Sequence, residues 1–449
     1  MADLYARLQE LKKRKRASAT PGADTSSGTP AAGSPDGAEA GESAAAVERS
    51  PGPDWERRAP GVYERSRVYP IARKSLPFDM DEDGRWYGLS PLTGPHSGVR
   101  PVFLDVETSG LSGGAGSTAF LIGLGFLAFA PVEGHASGAF PVEPAVTVYQ
   151  LFLSEPSAEP ALLARFAELV GAPDTACFVT YNGASFDLPV LRTRHIMNRL
   201  RLPGTLHWDL MPLTRRLYAP AIGSCTLGRV ERLVLELGRD DDVPGSEVPP
   251  RYHRFIDTGE QAEIAPVLAH HYYDVAHLAL LAATLQGILR DGDPRRRGVG
   301  HDRVALAKFL LDRGDQTHLA RCAALLDEDI RETEERRRHV SAAARAGGFA
   351  ARAGVRPPRA WSASRELRAV VSRRLKQWDE LREIRRSLWL VRGTQYDAVE
   401  LAKVLEHRFR DYSGALSVIE GWQEASGSRD PDPEIAHRAD RLRRKLSRR

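Results

Sequence analysis

Apolar residues in the middle of the chain recur with the periods of strands and helices. Short runs of large apolar residues between turn formers predict strands, and apolar residues three and four apart predict helices. The predicted strands are Val102–Thr108, Thr118–Ala130, Val146–Leu153 and Cys177–Tyr181. The predicted helices are Pro156–Val170, Ser185–Leu200, Thr226–Leu237 and Glu260–Leu289. Three consecutive strands followed by alternating helix and strand indicate an α/β fold, a mixed sheet flanked by helices.

The flanking segments follow different patterns. Residues 17–53 consist mainly of small, polar and acidic residues, which bury too little apolar surface to offset their ordering entropy. Residues 1–16 end in a basic run, for which a short amphipathic helix is the alternative to a mobile tail, so a disordered N-terminal tail is predicted for residues 1–53. In residues 54–100, aromatic residues return among turn formers, which indicates a structured lead-in segment. The α/β pattern then defines a domain at residues 101–290, and residues 300–449 have helical periodicity.

The helical region contains an internal repeat with an offset of 34 residues. Glu366-Leu367 recurs as Glu400-Leu401, and Trp378 corresponds to Tyr412. This period is the tetratricopeptide (TPR) spacing for a helix–turn–helix unit, although a generic helical bundle would also account for the helices. Because two or three units are few for a free-standing solenoid, we expect this all-α, TPR-like region to pack on the sheet domain.

Composition and charge narrow the function classes. The net charge is +4 over 449 residues, but residues 301–449 carry 32 basic against 23 acidic residues, so the first 300 residues carry −5. The three cysteines, Cys177, Cys225 and Cys322, have neither a zinc-binding nor a disulfide spacing. The longest apolar run, Thr118–Ala130, is shorter than the ~20 residues that span a bilayer. The sequence therefore predicts a cytoplasmic protein without membrane contact.

Two carboxylates end the first strand of the α/β pattern. Because side chains on a strand alternate between faces, Asp105 and Glu107 point the same way. Two anions on one face of a buried strand repel, and each is costly to desolvate, whereas a divalent cation with oxygen ligands removes both costs. The alternative is a pair of solvated carboxylates on an edge strand. A metal site therefore requires further acids elsewhere in the chain.

Later segments supply two acids and a histidine. Asp187 ends the sequence Tyr181-Asn182-Gly183-Ala184-Ser185-Phe186-Asp187 at a strand-to-helix step, where a carboxylate also suits the helix N-terminus. Asp274 lies four residues after His270 in the last long helix of the α/β part. A step of four residues leaves two side chains ~40° apart on one helix face. A ligand and a general base can therefore face one site.

The types and order of these motifs resemble the DEDD 3′–5′ exonucleases, which have the ribonuclease H-like fold. That pattern comprises D-x-E on the first strand, N-x-x-x-F-D at a strand-to-helix step, and a histidine or tyrosine before a final aspartate. Within this superfamily, Asp105-Val106-Glu107-Thr108, the Gly-Gly-Ala-Gly-Ser segment after it, and Arg239–Gly245 resemble the YprB-like ribonuclease H-like proteins. The resemblance covers roughly Tyr63–Leu289, and the helical region resembles tails on some relatives.

The resemblance implies a 3′–5′ exonuclease that hydrolyses phosphodiester bonds of single-stranded or frayed nucleic acid with two Mg²⁺ or Mn²⁺ ions. The implied metal ligands are Asp105, Glu107, Asp187 and Asp274, with His270 as the catalytic base. The implied substrate contacts are Thr108 and Leu111 at the terminal nucleotide, and Asn182 and Phe186 along the strand. For Thr108, Leu111 and Phe186, ordinary turn and core packing is the alternative.

The position of the base departs from one pattern of that superfamily. Histidine-type members usually place the histidine five residues before the last acid, where this chain has Ala269. His270 stands instead where tyrosine-type members have their tyrosine. The choice between His270 and His271 as the base therefore stays open.

Two further functions remain alternatives to the exonuclease. The first is a non-catalytic nucleic-acid or protein-binding scaffold, because a fold does not by itself confer activity. In this alternative, the helical repeats would bind a protein partner. The second is a ribonuclease H-type endonuclease, whose acids would not accompany N-x-x-x-F-D. The sequence does not distinguish DNA from RNA.

Overall fold

The described strands form a single mixed sheet of seven strands. The computed structural model describes residues 49–71, 100–110, 116–131, 142–171, 176–203, 206–239, 243–291, 302–312, 316–346, 359–426 and 432–448. The strands are β1 (Glu56–Ala59), β2 (Val62–Pro70), β3 (Arg100–Thr108), β4 (Ala119–Pro131), β5 (Val142–Leu153), β6 (Ala176–Thr180) and β7 (Leu206–Asp209). Their order is β1-β2-β5-β4-β3-β6-β7. The pairs β3–β6 and β6–β7 are parallel and the others antiparallel, which confirms the predicted mixed sheet.

Helices cover both faces of the sheet. They are α1 (Glu159–Val170), α2 (Asp187–Met197), α3 (Leu210–Ile222), α4 (Leu227–Val230) with a π-helical turn (Glu231–Leu235), α5 (Val248–Thr258) and α6 (Gln261–Asp291). Apolar residues of α1, α2 and α5 share one core with the sheet, and those of α3 and most of α6 share the other. The predicted α/β fold with flanking helices is thus confirmed.

Strand β3 has the alternation that the sequence predicts. Leu104 and Val106 are buried in the core under α1, α2 and α5, whereas Phe103 is buried in the core under α6. Asp105 and Glu107 follow the period of Phe103 and are only partly buried. Burial of apolar side chains on both faces therefore determines which way the two carboxylates point.

Two glycines in β4 allow α6 to lie close to the sheet. A Cβ atom on Gly123 would lie 2.4 Å from Val275 Cγ2 and 2.5 Å from His271 Cε1. A Cβ on Gly125 would lie 3.0 Å from Val275 Cγ1. Since real Cβ contacts are not this short, a larger residue at Gly123 would push α6, with His271 and Asp274, away from β3.

The lead-in segment contributes to the same sheet. Glu56–Ala59 and Val62–Pro70 form β1 and β2, and β2 pairs along its whole length with β5. Turn formers in residues 54–100 conceal these strands at the level of sequence. Residues 1–48 and 72–99 lie outside the described residues, so the disordered tail stays a prediction.

The C-terminal region is helical in all its described segments. Its helices are α7 (Arg303–Leu311), α8 (Gln316–Ala346), α9 (Arg359–Arg374), α10 (Trp378–Arg392), α11 (Gln395–Val404) with a π-helical turn (Leu405–Phe409), α12 (Tyr412–Ser426) and α13 (Pro433–Ser447). Helices α10 and α12 begin 34 residues apart, and the left-handed residues before them, Lys376 (φ 59°) and Arg410 (φ 54°), have the same offset. The repeat is thus visible in the backbone, while the tetratricopeptide assignment stays a prediction. No described helix is long and apolar enough to cross a membrane.

Helices α7 and α8 share a core with the α/β part. Leu306, Leu310 and Cys322 are buried in the same apolar cluster as Phe103 and the C-terminal half of α6. The Asp302 N–H also donates to the Leu217 carbonyl at 2.8 Å. The helical region therefore does not begin as a separate body after Asp291.

We expect a chain truncated after Asp291 to lose cooperative unfolding and to bind the dye ANS, because apolar surface of α3 and α6 would face water. Deleting only residues 411–449 is the matched control, since α12 and α13 share an apolar cluster with α11 and not with the sheet, so the core of α3 and α6 stays covered. Near-UV circular dichroism and thermal unfolding distinguish the two chains. A 1–291 fragment with the full-length melting temperature would show that α7 and α8 are dispensable.

Candidate active site

Four carboxylates meet at the C-terminal half of β3. Asp105 and Glu107 lie on β3, Asp187 is the first residue of α2, and Asp274 lies in the middle of α6. Asp187 and Asp274 are 4% and 8% exposed. Burial is the largest cause that raises the pKa of Asp105 well above its usual value, and the charges of Asp187, Asp274 and Glu107 follow. The structure therefore brings all four predicted acids into one site.

Three of these acids are difficult to ionise without a cation. Burial, followed by the charge of Asp274, raises the pKa of Glu107 to about 8. Burial also raises the pKa of Asp187 to about 7, although the carboxylate accepts backbone hydrogen bonds from its own N–H and from Val106. Such shifts are expected where like charges share a desolvated site. A bound divalent cation would replace the protons that these carboxyl groups retain at neutral pH.

The pKa of Asp274 is shifted in the opposite direction, below its usual value. Burial alone would raise its pKa, but the hydrogen bond and charge of His270 and the positive charge of Arg239 outweigh burial and lower the pKa to about 2. His270 Nε2 lies 3.1 Å from Asp274 Oδ2, as the predicted four-residue spacing requires. Asp274 is therefore ionised while its neighbours hold protons.

The raised pKa values predict the pH dependence of stability without metal. Because Glu107 and Asp187 bind protons more tightly in the folded than in the unfolded chain, the free energy of unfolding should fall as pH rises from ~4 through about 7 to 8. Glu107→Gln removes one of the repelling charges. We expect this variant in EDTA to melt about 1 °C above the wild type at pH 8, as about 1 kcal/mol produces in a chain of this length, and with little difference at pH 4.

The matched control for this measurement is Glu424→Gln, which removes an exposed carboxylate on α12. Its melting temperature should follow that of the wild type at both pH values. A wild-type protein that is equally stable in EDTA at pH 5 and pH 8 would contradict strong repulsion among the site carboxylates.

Three of the clustered side chains can reach one cation. One ligand atom from each of Glu107, His270 and Asp274 lies within 4.8 Å of the other two. Carboxylate oxygens suit Mg²⁺ and Mn²⁺, so the acids of the site fit the predicted metals, whereas an imidazole ligand would favour softer cations. The geometry thus allows His270 to act as a ligand as well as a base.

Arg239 is a member of the site that sequence reasoning missed. Its guanidinium donates to Asp274 Oδ1, to Glu231 Oε1 at 2.5 Å and to the His270 carbonyl at 3.0 Å. Glu231 is buried and also contacts His277 Nδ1 at 2.8 Å. Arg239 therefore holds one oxygen of Asp274 and leaves the other facing His270. Its only signal in the sequence was its place at the start of the loop that resembles the YprB-like proteins.

A row of residues in register across four strands leads to Asp105. Asp105 pairs with Gly123, Gly123 with Gln150, and Gln150 with Arg65. Arg65 donates to Gln150 Oε1 at 2.7 Å, and Gln150 Nε2 lies 3.0 Å from His271 Nδ1. His271 Nε2 lies 3.2 Å from the Asp105 carbonyl oxygen. His271, from α6, fills the space above Gly123 and completes the row.

His271 is fully buried, and both of its ring nitrogens are engaged. Burial lowers its pKa to about 4, so the imidazole is neutral at physiological pH. His270 retains 16% side-chain exposure beside Asp274 and Glu107. Access to water therefore favours His270 over His271 as the base.

Three of the four predicted substrate contacts fall on described residues. The Thr108 hydroxyl is buried and donates to the Gly110 carbonyl at 2.7 Å, which is a turn contact. Asn182 has a left-handed backbone (φ 68°), and its N–H donates to Asp209 Oδ1 at 2.8 Å. Phe186 is half-buried at the start of α2, and Leu111 lies outside the described residues. Their roles in binding a nucleotide stay predictions.

Fold and site together define a protein of the ribonuclease H superfamily, and the comparisons agree. The RNase_H superfamily model RNase_H_2 matches residues 102–286. The uncharacterized protein YprB of Bacillus subtilis (strain 168) is 30% identical over 354 residues, which cover 77% of this chain and 75% of YprB. The chain belongs to the YprB family within this superfamily.

A solved structure gives a weaker match. The zinc-bound structure of E. coli ExoI in complex with single-stranded DNA is 16% identical to this chain, with a TM-score of 0.24. The match covers 48% of this chain and 43% of that structure. This chain thus spans less than half of the ExoI structure, and the TM-score is too low to indicate a shared arrangement.

Proposed function

We propose that this protein is a metal-dependent nuclease that removes nucleotides from the 3′ end of single-stranded or frayed nucleic acid. The observation that carries the proposal is the convergence of Asp105, Glu107, Asp187 and Asp274 at the C-terminal half of β3. Membership of the ribonuclease H superfamily supports a nuclease. The carboxylates alone would give the site up to four negative charges, which two divalent cations would neutralise.

The residues have distinct roles in this reaction. Asp105, Glu107, Asp187 and Asp274 would hold the two cations, which when bound orient water and stabilise the charge that develops on the phosphate. His270 would accept a proton from the attacking water, because it is the partly exposed imidazole beside Glu107 and Asp274. Without a cation its Nε2–H donates to Asp274 Oδ2 at 3.1 Å, so the imidazole must leave this contact before it can act as a base. Arg239 keeps Asp274 ionised and oriented through Oδ1.

A labelled-substrate assay tests this function. DNA and RNA oligonucleotides carrying a label at either end are incubated with Mg²⁺ or Mn²⁺, with EDTA as the metal-free control. Stepwise shortening of 5′-labelled strands, with circular single strands left intact, is the expected result. Cleavage of circular strands would instead indicate the endonuclease. Binding without cleavage in both metals would favour the non-catalytic scaffold.

The charge of the helical region gives little support to strand binding there. Several of its basic side chains are committed to internal ion pairs, such as Arg368 with Asp327 and Arg385 with Glu366, both at 2.8 Å. Glu406 is paired with three basic residues, Arg438, Arg441 and Lys445. We propose that these helices stabilise the α/β core and offer their repeats to a protein partner, and that the nucleic acid binds at the acid site.

A further inference from the structure

We propose that His271 is a positioning residue, which holds Asp105 in place for metal binding by directing its Nε2–H at that residue. The inference rests on the metal site proposed above. It assigns to His271 a role that is neither general base nor simple packing. The role follows from hydrogen-bond directions, from strand register and from the shape of the space in which the imidazole lies.

The hydrogen bonds of Gln150 determine which nitrogen of His271 carries the proton. The Gln150 amide oxygen accepts from the Arg65 guanidinium at 2.7 Å, and this partner identifies the other amide atom as nitrogen. That Nε2 donates to the Leu268 carbonyl at 2.9 Å and faces His271 Nδ1 at 3.0 Å. Since the amide nitrogen has two N–H groups and no acceptor, His271 Nδ1 must be the bare, accepting nitrogen.

A bare Nδ1 leaves the proton of the neutral imidazole on Nε2. The Nε2 atom lies 3.2 Å from the Asp105 carbonyl oxygen and 3.7 Å from the Asp105 carboxylate atom Oδ2. The donor therefore hydrogen-bonds the backbone of Asp105, while its positive end faces one carboxylate oxygen. Both effects hold Asp105 toward α6. The other carboxylate oxygen is left for a cation.

The fold leaves the imidazole no other position. Gly123 lies opposite Asp105 in β4, and any Cβ there would lie 2.9 Å from His271 Nε2. Leu268, one turn earlier in α6, presents its carbonyl to the same Gln150 amide. Helix α6, Gly123 and the Gln150 amide thus orient the His271 ring together. Groups that orient metal ligands in this way typically contribute 10- to 100-fold to metal affinity.

The experiment compares two replacements at His271. His271→Gln keeps an N–H donor of similar reach, whereas His271→Met keeps a similar volume without the donor. His195→Met is the control, because His195 is a buried histidine of the same domain whose contact is the Leu191 carbonyl. Mn²⁺ affinity is measured by calorimetry without nucleic acid, and folding by circular dichroism in EDTA. Nitrogen-15 spectra of histidine-labelled protein report the tautomer, with the His271 signal identified by its loss in His271→Gln.

We expect Mn²⁺ affinity to fall about 10- to 100-fold in His271→Met, to stay within about threefold in His271→Gln, and to be unchanged in His195→Met. The wild-type spectrum should show His271 protonated at Nε2. If His271→Met does not fold, Gln150→Met is the second variant, in which His271 loses its fixed tautomer and Mn²⁺ binds more weakly.

The contrary outcomes separate this inference from the proposed function. If the wild type binds Mn²⁺ and His271→Met binds it equally well, the metal site stands and the positioning role fails. A proton on Nδ1 in the wild type would overturn the role without reference to any metal. If the wild type does not bind Mn²⁺ at all, both the metal site and the role of His271 are wrong.

Discussion

Replacing Asp187 with asparagine is expected to abolish hydrolysis, with a loss of about 10³-fold or more, while the chain remains folded. Asp187 is buried and aligned by the Val106 N–H, so the amide would keep its position but bring no charge to a cation. In EDTA the variant should be as stable as the wild type or slightly more so, because one of the repelling charges is gone. Asp105→Asn should behave in the same way.

Initial rates on a 5′-labelled single strand, with Mn²⁺ varied, give the measurement. Asp257→Asn is the matched control, since Asp257 is an exposed aspartate of the same domain, on α5. Its rate should equal that of the wild type. Wild-type-like hydrolysis by the Asp187 or Asp105 variant would rule out the two-metal mechanism.

The second large effect is expected for His270→Ala, which should lower the rate by ~10²–10⁴ through loss of the general base. The His270 side chain lies beside Asp274 and Glu107 and is partly exposed, so the imidazole can take a proton from a water at the carboxylates once its Nε2–H no longer donates to Asp274. Because an unperturbed imidazole titrates near ~6.5, the wild-type rate at saturating Mn²⁺, which displaces the carboxyl protons, should decline on the acid side, and the variant should lose that decline.

Metal binding separates the two roles that the geometry allows for His270. If His270 is the base, His270→Ala should bind Mn²⁺ about as well as the wild type and fail only in turnover. A loss of Mn²⁺ affinity by 10-fold or more, which excess metal restores together with the rate, would make His270 a ligand. If His271→Gln were inactive while His270→Ala kept its rate, the assignment of the base would be wrong.

The helical and strand pattern of the α/β part could be predicted because it depends on local periodicity. The alternation of Phe103 with Leu104 and Val106 along β3 already indicates that both faces of the strand are buried. The bounds of α6 were predicted to within two residues at each end. Strands β1, β2 and β7 and helices α3 and α5 were not predicted. For β1 and β2 the reason is that their apolar residues are few and lie among turn formers. Their place in the sheet comes from pairing with β5, about 80 residues further along the chain.

Four acids could be nominated from the sequence because each lies at a recognisable position: a strand end, a helix start or one helix face. Their spacing also indicated that His270 faces Asp274, since an α-helix relates residues four apart by its own geometry. Roles beyond this, such as those of Thr108 and Phe186, depended on resemblance and stay predictions. The sequence by itself thus determined the fold class, the candidate carboxylates and their order along the chain.

The contact between Arg239 and Asp274 forms only in the tertiary structure. The contacts that connect Gln150 through His271 to Asp105 depend in addition on strand register. These contacts join residues between 35 and 166 positions apart, and no local pattern carries them. They depend on which strands pair, on the two glycines that let α6 approach β4, and on the burial that directs these polar groups to one another. Local propensity acts over a few residues, whereas strand register and close packing act across the whole sheet. Register and packing therefore determined how the residues of the site are arranged.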